Sequence, residues 1–160
     1  MVPVMLIGST PRRNQQGVTF LWVMLLLVFL TLGLGRYLEL LSTREQRSLE
    51  ADLLWKGEQY RAAIQAFAEA SPGEEKQLPH SLDDLLVDPR LLTYTRHLRR
   101  AYLDPITEKP FEEIYDSQGR LIGVRSASLQ APIKTAGFPP QLAHFEDKKV
   151  YNQWEFIYLP

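Results

Sequence analysis

Between Arg13 and Arg36 the chain carries no charged residue, and the eighteen positions from Val18 to Gly35 are almost all Leu, Val, Phe, Met and Trp. At 1.5 Å per residue such a stretch makes a helix of about 27 Å, close to the hydrocarbon core of a bilayer. A helix buried in a water-soluble domain keeps a polar stripe, and here only Thr19 and Thr31 interrupt the apolar surface. Residues 18–35 are therefore expected to cross a membrane once. A cleavable secretory signal is the competing reading, because Arg12 and Arg13 precede the run. The run is too long for an ordinary signal core, however, and no small-residue cleavage site closes it before Arg36. A retained anchor is favoured. Flanking charge does not orient it, since Arg36, Arg44 and Arg47 follow the span as Arg12 and Arg13 precede it.

What remains of the 160 residues suffices for one small domain. A net charge of −1 supplies no general attraction for nucleic acid, so no nucleic-acid partner is expected. The lack of cysteine excludes thiol catalysis, thiolate metal sites and disulfides together.

Helical character runs on past the anchor. From Arg36 to Ala70 there is no proline, and Leu53, Tyr60, Ile64 and Phe67 recur near helical spacing on one face. One helix of roughly fifty residues is expected over Thr19–Ala70, ended by Ser71-Pro72-Gly73. Next, "LPHSLDDLLVDPRL" predicts a short helix opened by Ser81, with Asp84 as its third-position acid, and stopped before Asp88-Pro89. A second short helix is expected over Tyr94–Tyr102. Strand signals follow at Phe111–Tyr115 and Arg120–Ser126, joined by the turn Asp116-Ser117-Gln118-Gly119, and again at Trp154–Tyr158. The apolar face of the long helix and a small antiparallel sheet each need a partner to bury against. The expected class is α+β, a long N-terminal helix packed on a small antiparallel sheet.

No catalytic residue, cofactor or metal is expected. His80, His97 and His144 lie far apart without metal-ligand spacing and read as surface or loop residues. The acid pairs Asp83-Asp84 and Glu112-Glu113 are adjacent, so on a helix or strand their side chains diverge. No nucleophile, phosphate-loop or zinc motif occurs. The densest polar feature is Arg96, His97, Arg99 and Arg100. Its arginines either satisfy loop carbonyls and neutralise Asp88 and Asp104, or face the acids of another subunit.

"GVTFLW", a glycine followed by a hydrophobic residue, a threonine and an unbroken apolar helix, resembles the N-terminal signature of type IV pilin-like proteins. "LPHSLDDLLVDPR", "RHLRRAYLDPITEKPF", "GRLIGVRSASLQAPIK" and "YNQWEFIY" extend the likeness over essentially the whole chain to the pseudopilins of type II secretion systems. The resemblance implies a leader, 1–17, cut between Gly17 and Val18 on the cytoplasmic side by a prepilin peptidase. It also implies a transmembrane helix over 18–35, a periplasmic continuation of that helix over 36–70, and a globular α+β head over 71–160. The protein would then sit in the bacterial inner membrane as a single-pass subunit, N-terminus cytoplasmic and head periplasmic. Its partners would be other pseudopilins, the peptidase, the inner-membrane secretion platform and the lipid bilayer. The apolar Met1–Ile7 departs from the polar, basic leader of the family.

Trp22 is the larger departure. The fifth mature position of the family usually carries a glutamate that pairs with a neighbouring terminal amine, and a tryptophan offers no charge. Trp22 fits a tip-proximal subunit, a minor component that assembles weakly, or a packing residue in a divergent copy; a minor or tip-proximal subunit is favoured over the bulk filament component, and methylation of Val18 is left open. Gly33 and Gly35 are either ordinary membrane-helix glycines or points where the helix loosens on assembly. Calcium is held in the C-terminal loops of some related heads. Asp104, Asp116, Glu146 and Asp147 supply oxygens here, but oxygens alone do not make a site. Two alternatives stand beside the secretion pseudopilus. One is a minor pilin of a type IV pilus, serving adhesion or DNA uptake; the other is a membrane-tethered periplasmic binding module outside any filament.

Overall fold

The computed structural model describes residues 16–73, 76–91 and 93–159, so the expected leader, 1–17, lies outside the described residues except at its last two positions. The fold is α+β. Its first element, α1, is Gln16–Glu69, one turn longer at its start than Thr19–Ala70. Gly73 follows at φ +129°, a backbone region that glycine enters without penalty, so the chain turns away here. Contacts divide the chain into a unit ending at Ser42 and a compact unit over Thr43–Pro160.

In the first unit, the apolar stretch that begins at Val18 is long and apolar enough to cross a membrane by length and composition. Its large side chains, from Val18 through Phe20 and Trp22 to Leu34, are exposed. One threonine in the run, Thr31, finds its acceptors within the helix. Thr31 donates back to the carbonyls of Leu27 and Val28, at 3.0 and 2.9 Å.

The second unit is built on the last turns of α1. Leu53, Tyr60, Ala63, Ile64, Phe67 and Ala68 turn one face inward. Against that face stand β1 (Glu112–Tyr115), β2 (Leu121–Arg125) and β3 (Glu155–Ile157), antiparallel in the order β1-β2-β3. The strands lie where the alternation of the sequence puts them, each shorter by one residue at an end or at both. The β1–β2 turn is held by Asp116, whose carboxylate accepts from the amides of Gln118 and Arg120, at 2.8 and 2.9 Å. Gly119 sits at φ +74°. An aromatic cluster packs beside β3: Phe145 stacks on Trp154 at 5.5 Å, and Tyr151 meets Trp154 edge-on at 5.2 Å. Phe156 reaches α1 through a gap left by Gly57, where a Cβ would lie 2.4 Å from the ring.

Helix α2 (Leu82–Leu86) forms as its capping signal predicts. The Asp84 carboxylate accepts from the amides of His80 and Ser81, at 2.8 and 3.2 Å. The second short helix does not form: the described residues of 94–102 are bends and irregular backbone. Their amides are committed elsewhere. His97 and Leu98 both donate to the Leu85 carbonyl, and the Tyr102 amide donates to the Tyr60 hydroxyl at 2.8 Å. Donors spent on another element cannot close helical turns. Two 3₁₀ segments without a sequence signal, Pro140–Phe145 and Tyr151–Gln153, carry buried Leu142, Phe145 and Tyr151 into the core.

Candidate functional site

Three places follow from the sequence: the junction at Gly17 with Trp22 beyond it, the glycines of the span, and the arginine cluster. Gly17 and Val18 both lie in the first turns of α1, and Val18 is exposed. Trp22 projects one turn further along, exposed like its neighbours. Gly33 and Gly35 sit inside unbroken helical backbone, and an added Cβ at either would meet nothing within 4 Å.

The arginine cluster separates into two kinds of residue. Arg96, Arg99 and Arg100 are exposed and join no ion pair among the described residues. Arg96 lies 5.2 Å over the Tyr94 ring and Arg100 lies 5.3 Å over the Tyr102 ring. They do not neutralise Asp88 or Asp104. His97 instead turns inward, only 6% of its side chain exposed, with Nε2 2.9 Å from Asp88 Oδ2. It is a loop residue but not a surface one.

Asp88 is fully buried, and Arg90 is its main partner, donating to both carboxylate oxygens at 2.9 and 2.7 Å. Those bonds, with help from the Arg90 amide and from His97, hold the Asp88 carboxyl well below the usual range despite burial. Arg90 also donates to the Phe67 carbonyl and the Ser71 hydroxyl, and its guanidinium lies 3.5 Å over the Phe67 ring. One charge network thus ties the loop after α2 to the end of α1.

Asp104 is buried and joins no ion pair among the described residues. Its oxygens accept from the Ile106 amide and from the hydroxyls of Thr107 and Ser126, at 2.7–2.9 Å. Both oxygens of Asp116 are likewise taken up by its own turn. Among the described residues no group of three His, Asp or Glu side chains stands close enough to hold a metal ion. The acid pairs diverge as adjacency predicts: Glu112 binds Arg125, whereas Glu113 accepts from the Tyr115 hydroxyl. His80 and His144 are exposed, and His144 Nε2 lies 3.1 Å from the Glu155 carbonyl.

The polar centre that sequence reasoning missed is Glu50. It lies on α1, 3% exposed, and accepts from the amides of Ile133 and Lys134 and from the Tyr151 hydroxyl. Gln46, one turn earlier, donates to the Ala131 carbonyl and the Tyr151 hydroxyl, both at 3.1 Å. Its only signal in the sequence is an acid at a position where a polar helix surface begins to bury. The polar groups at these centres join segments that are distant in the chain, as Ser126 does with Asp104 and Tyr151 with Glu50. Comparison with protein-family models, with curated proteins and with solved structures finds no match to this chain.

Proposed function

We propose that the chain is a structural subunit of a filament, a minor or tip-proximal pseudopilin of a periplasmic type II secretion pseudopilus that drives protein export. The observation that carries this reading is the double character of one helix. From Val18, α1 bears exposed apolar side chains over a membrane's thickness, while its last turns supply the core of a small α+β unit. A helix of this kind can be stored in the bilayer and withdrawn into a bundle of like helices, apolar surface being covered in both states. Before assembly, prepilin peptidase cuts between Gly17 and Val18. The subunit lies in the bacterial inner membrane with its N-terminus cytoplasmic and its head periplasmic. Trp22 in place of an acid removes the charge that would pair with a neighbour's terminal amine, which suits a subunit at an end of the filament or one present in few copies. The exposed arginines Arg96, Arg99 and Arg100 join no ion pair among the described residues and face the acids of an adjacent subunit.

Mass spectrometry of the mature N-terminus tests this directly. Val18 at the terminus is the expected result. A chain still beginning at Met1 in cells with active prepilin peptidase sinks the reading and favours a membrane-tethered binding module.

A further inference from the structure

A track of cations that join no ion pair among the described residues, with exposed apolar surface between them, runs along one side of the Thr43–Pro160 unit. Arg100 lies 5.3 Å over the Tyr102 ring, and Tyr102 meets Trp55 edge-on at 5.4 Å. Trp55 is 52% exposed, an unusual position for so large an apolar side chain. It lines a cavity of about 410 Å³ with Leu54, Pro139, Leu142 and Lys134. Leu54 and Lys134 also line a second cavity of about 510 Å³, with Ala51, Ile133 and Arg47. The shared walls make one groove beside α1 from Arg47 to Glu58, roughly 16 Å or three helical turns.

The charges of this groove are unbalanced. Arg47 and Lys134 in its walls, and Arg100 beside Trp55 across the Tyr102 ring, join no ion pair among the described residues, whereas Lys56 and Arg61 on the same helix are paired with Asp52 and Glu58. The acids within the groove are already occupied: Glu50 by two amides and the Tyr151 hydroxyl, Glu58 by Arg61. Tyr102, which supports both Trp55 and Arg100, is itself fixed, its amide and carbonyl both bonded to the Tyr60 hydroxyl. An ordered Trp with flanking Arg and Lys, over an apolar floor, has the composition of the energetic centre of a protein interface.

We propose that this groove docks an acidic amphipathic helix of a different protein, its apolar face on Leu54 and Trp55 and its carboxylates on Arg47, Lys134 and Arg100. A second copy of this chain fits less well. Its exposed apolar turn outside the span, Tyr37 to Leu41, carries Arg36 and Arg44 beside Glu39 and Glu45, and so brings no net negative charge to three cations. The proposal does not depend on processing at Gly17 or on filament assembly.

The test places p-benzoylphenylalanine at Ala51, and separately at Gln141, in the full chain in its native membrane, followed by ultraviolet cross-linking and mass-spectrometric mapping. The expected adduct joins either position to a segment of another protein with apolar residues at helical spacing and flanking Asp or Glu. Combined Arg47→Glu and Lys134→Glu should lower its yield at least about fivefold, the effect of losing two rim charge pairs, with the melting temperature of the chain unchanged. The proposal is overturned by adducts that map to a second copy of this chain, by adducts to segments without acids, by yields indifferent to the charge reversal, or by no adduct at either position.

Discussion

The Tyr151 hydroxyl donates a 2.9 Å hydrogen bond to the carboxylate of Glu50, joining the last third of the chain to α1 across 101 positions. The same carboxylate holds the amides of Ile133 and Lys134. Glu50→Ala leaves three donors without an acceptor and should cost about 2–4 kcal/mol, against about 1 kcal/mol for Tyr151→Phe, which removes one bond. Thermal unfolding of the full chain followed by near-ultraviolet circular dichroism measures both.

The same contact predicts an alkaline limit. Burial and the Glu50 carboxylate push the Tyr151 hydroxyl up to about 12, although Gln46 opposes them. A raised acid contributes stability that is complete below its unfolded value, near 10, and is lost as pH rises through the folded one. The head should therefore weaken between about pH 10 and 12, and Tyr151→Phe should remove that part of the decline.

Asp88 predicts the opposite limb. Its carboxyl is held low by Arg90 first and His97 after it, so its contribution is present above the ordinary carboxylate value and lost as pH falls below about 4. Asp88→Asn leaves a buried guanidinium without its partner and should cost about 3 kcal/mol at neutral pH. It should also flatten the acid side of a plot of melting temperature against pH.

Gly57→Ala is predicted to destabilise even though alanine is the better helix former. A Cβ at this position would lie 2.4 Å from the Phe156 ring. Displacing a fully buried aromatic costs about 1–3 kcal/mol, more than the ~1 kcal/mol that helix propensity returns. Phe156→Leu in the same chain should recover part of the loss, which a double-mutant cycle would detect.

Arg99→Glu with Arg100→Glu should leave the melting temperature nearly unchanged, because among the described residues neither arginine joins an ion pair and Arg100 only overlies the Tyr102 ring. Under the assembly reading, incorporation of the subunit into filaments is lost at the same time. Parallel melting and pull-down of assembled filaments separate a surface role from a structural one.

Some of these elements are legible from neighbouring residues alone. Leu53, Tyr60, Ile64 and Phe67 announce a buried helical face, Ser81 and Asp84 a helix start, and Asp116 to Gly119 a hairpin. In each the deciding interaction is local, a helical period, a cap or a turn. The segment from Tyr94 to Tyr102 has helical composition and is nonetheless irregular. Its outcome turns on Tyr60 and Leu85, which are distant in the chain and take its amides.

That one uncharged run from Val18 to Gly35 could cross a membrane, that a helix would continue beyond it, and that a small α+β unit would close on that helix all follow from the order of residues. Apolar length and periodicity suffice for this, because burial of apolar surface is proportional to area and indifferent to partner. That His97 and Arg90 answer Asp88, that Glu50 gathers the loop at Ile133, and that Arg47, Lys134 and Arg100 join no ion pair among the described residues emerges from the folded arrangement alone. Hydrogen bonds and ion pairs are directional and short-ranged, so which acid meets which base depends on chain segments brought together only by folding.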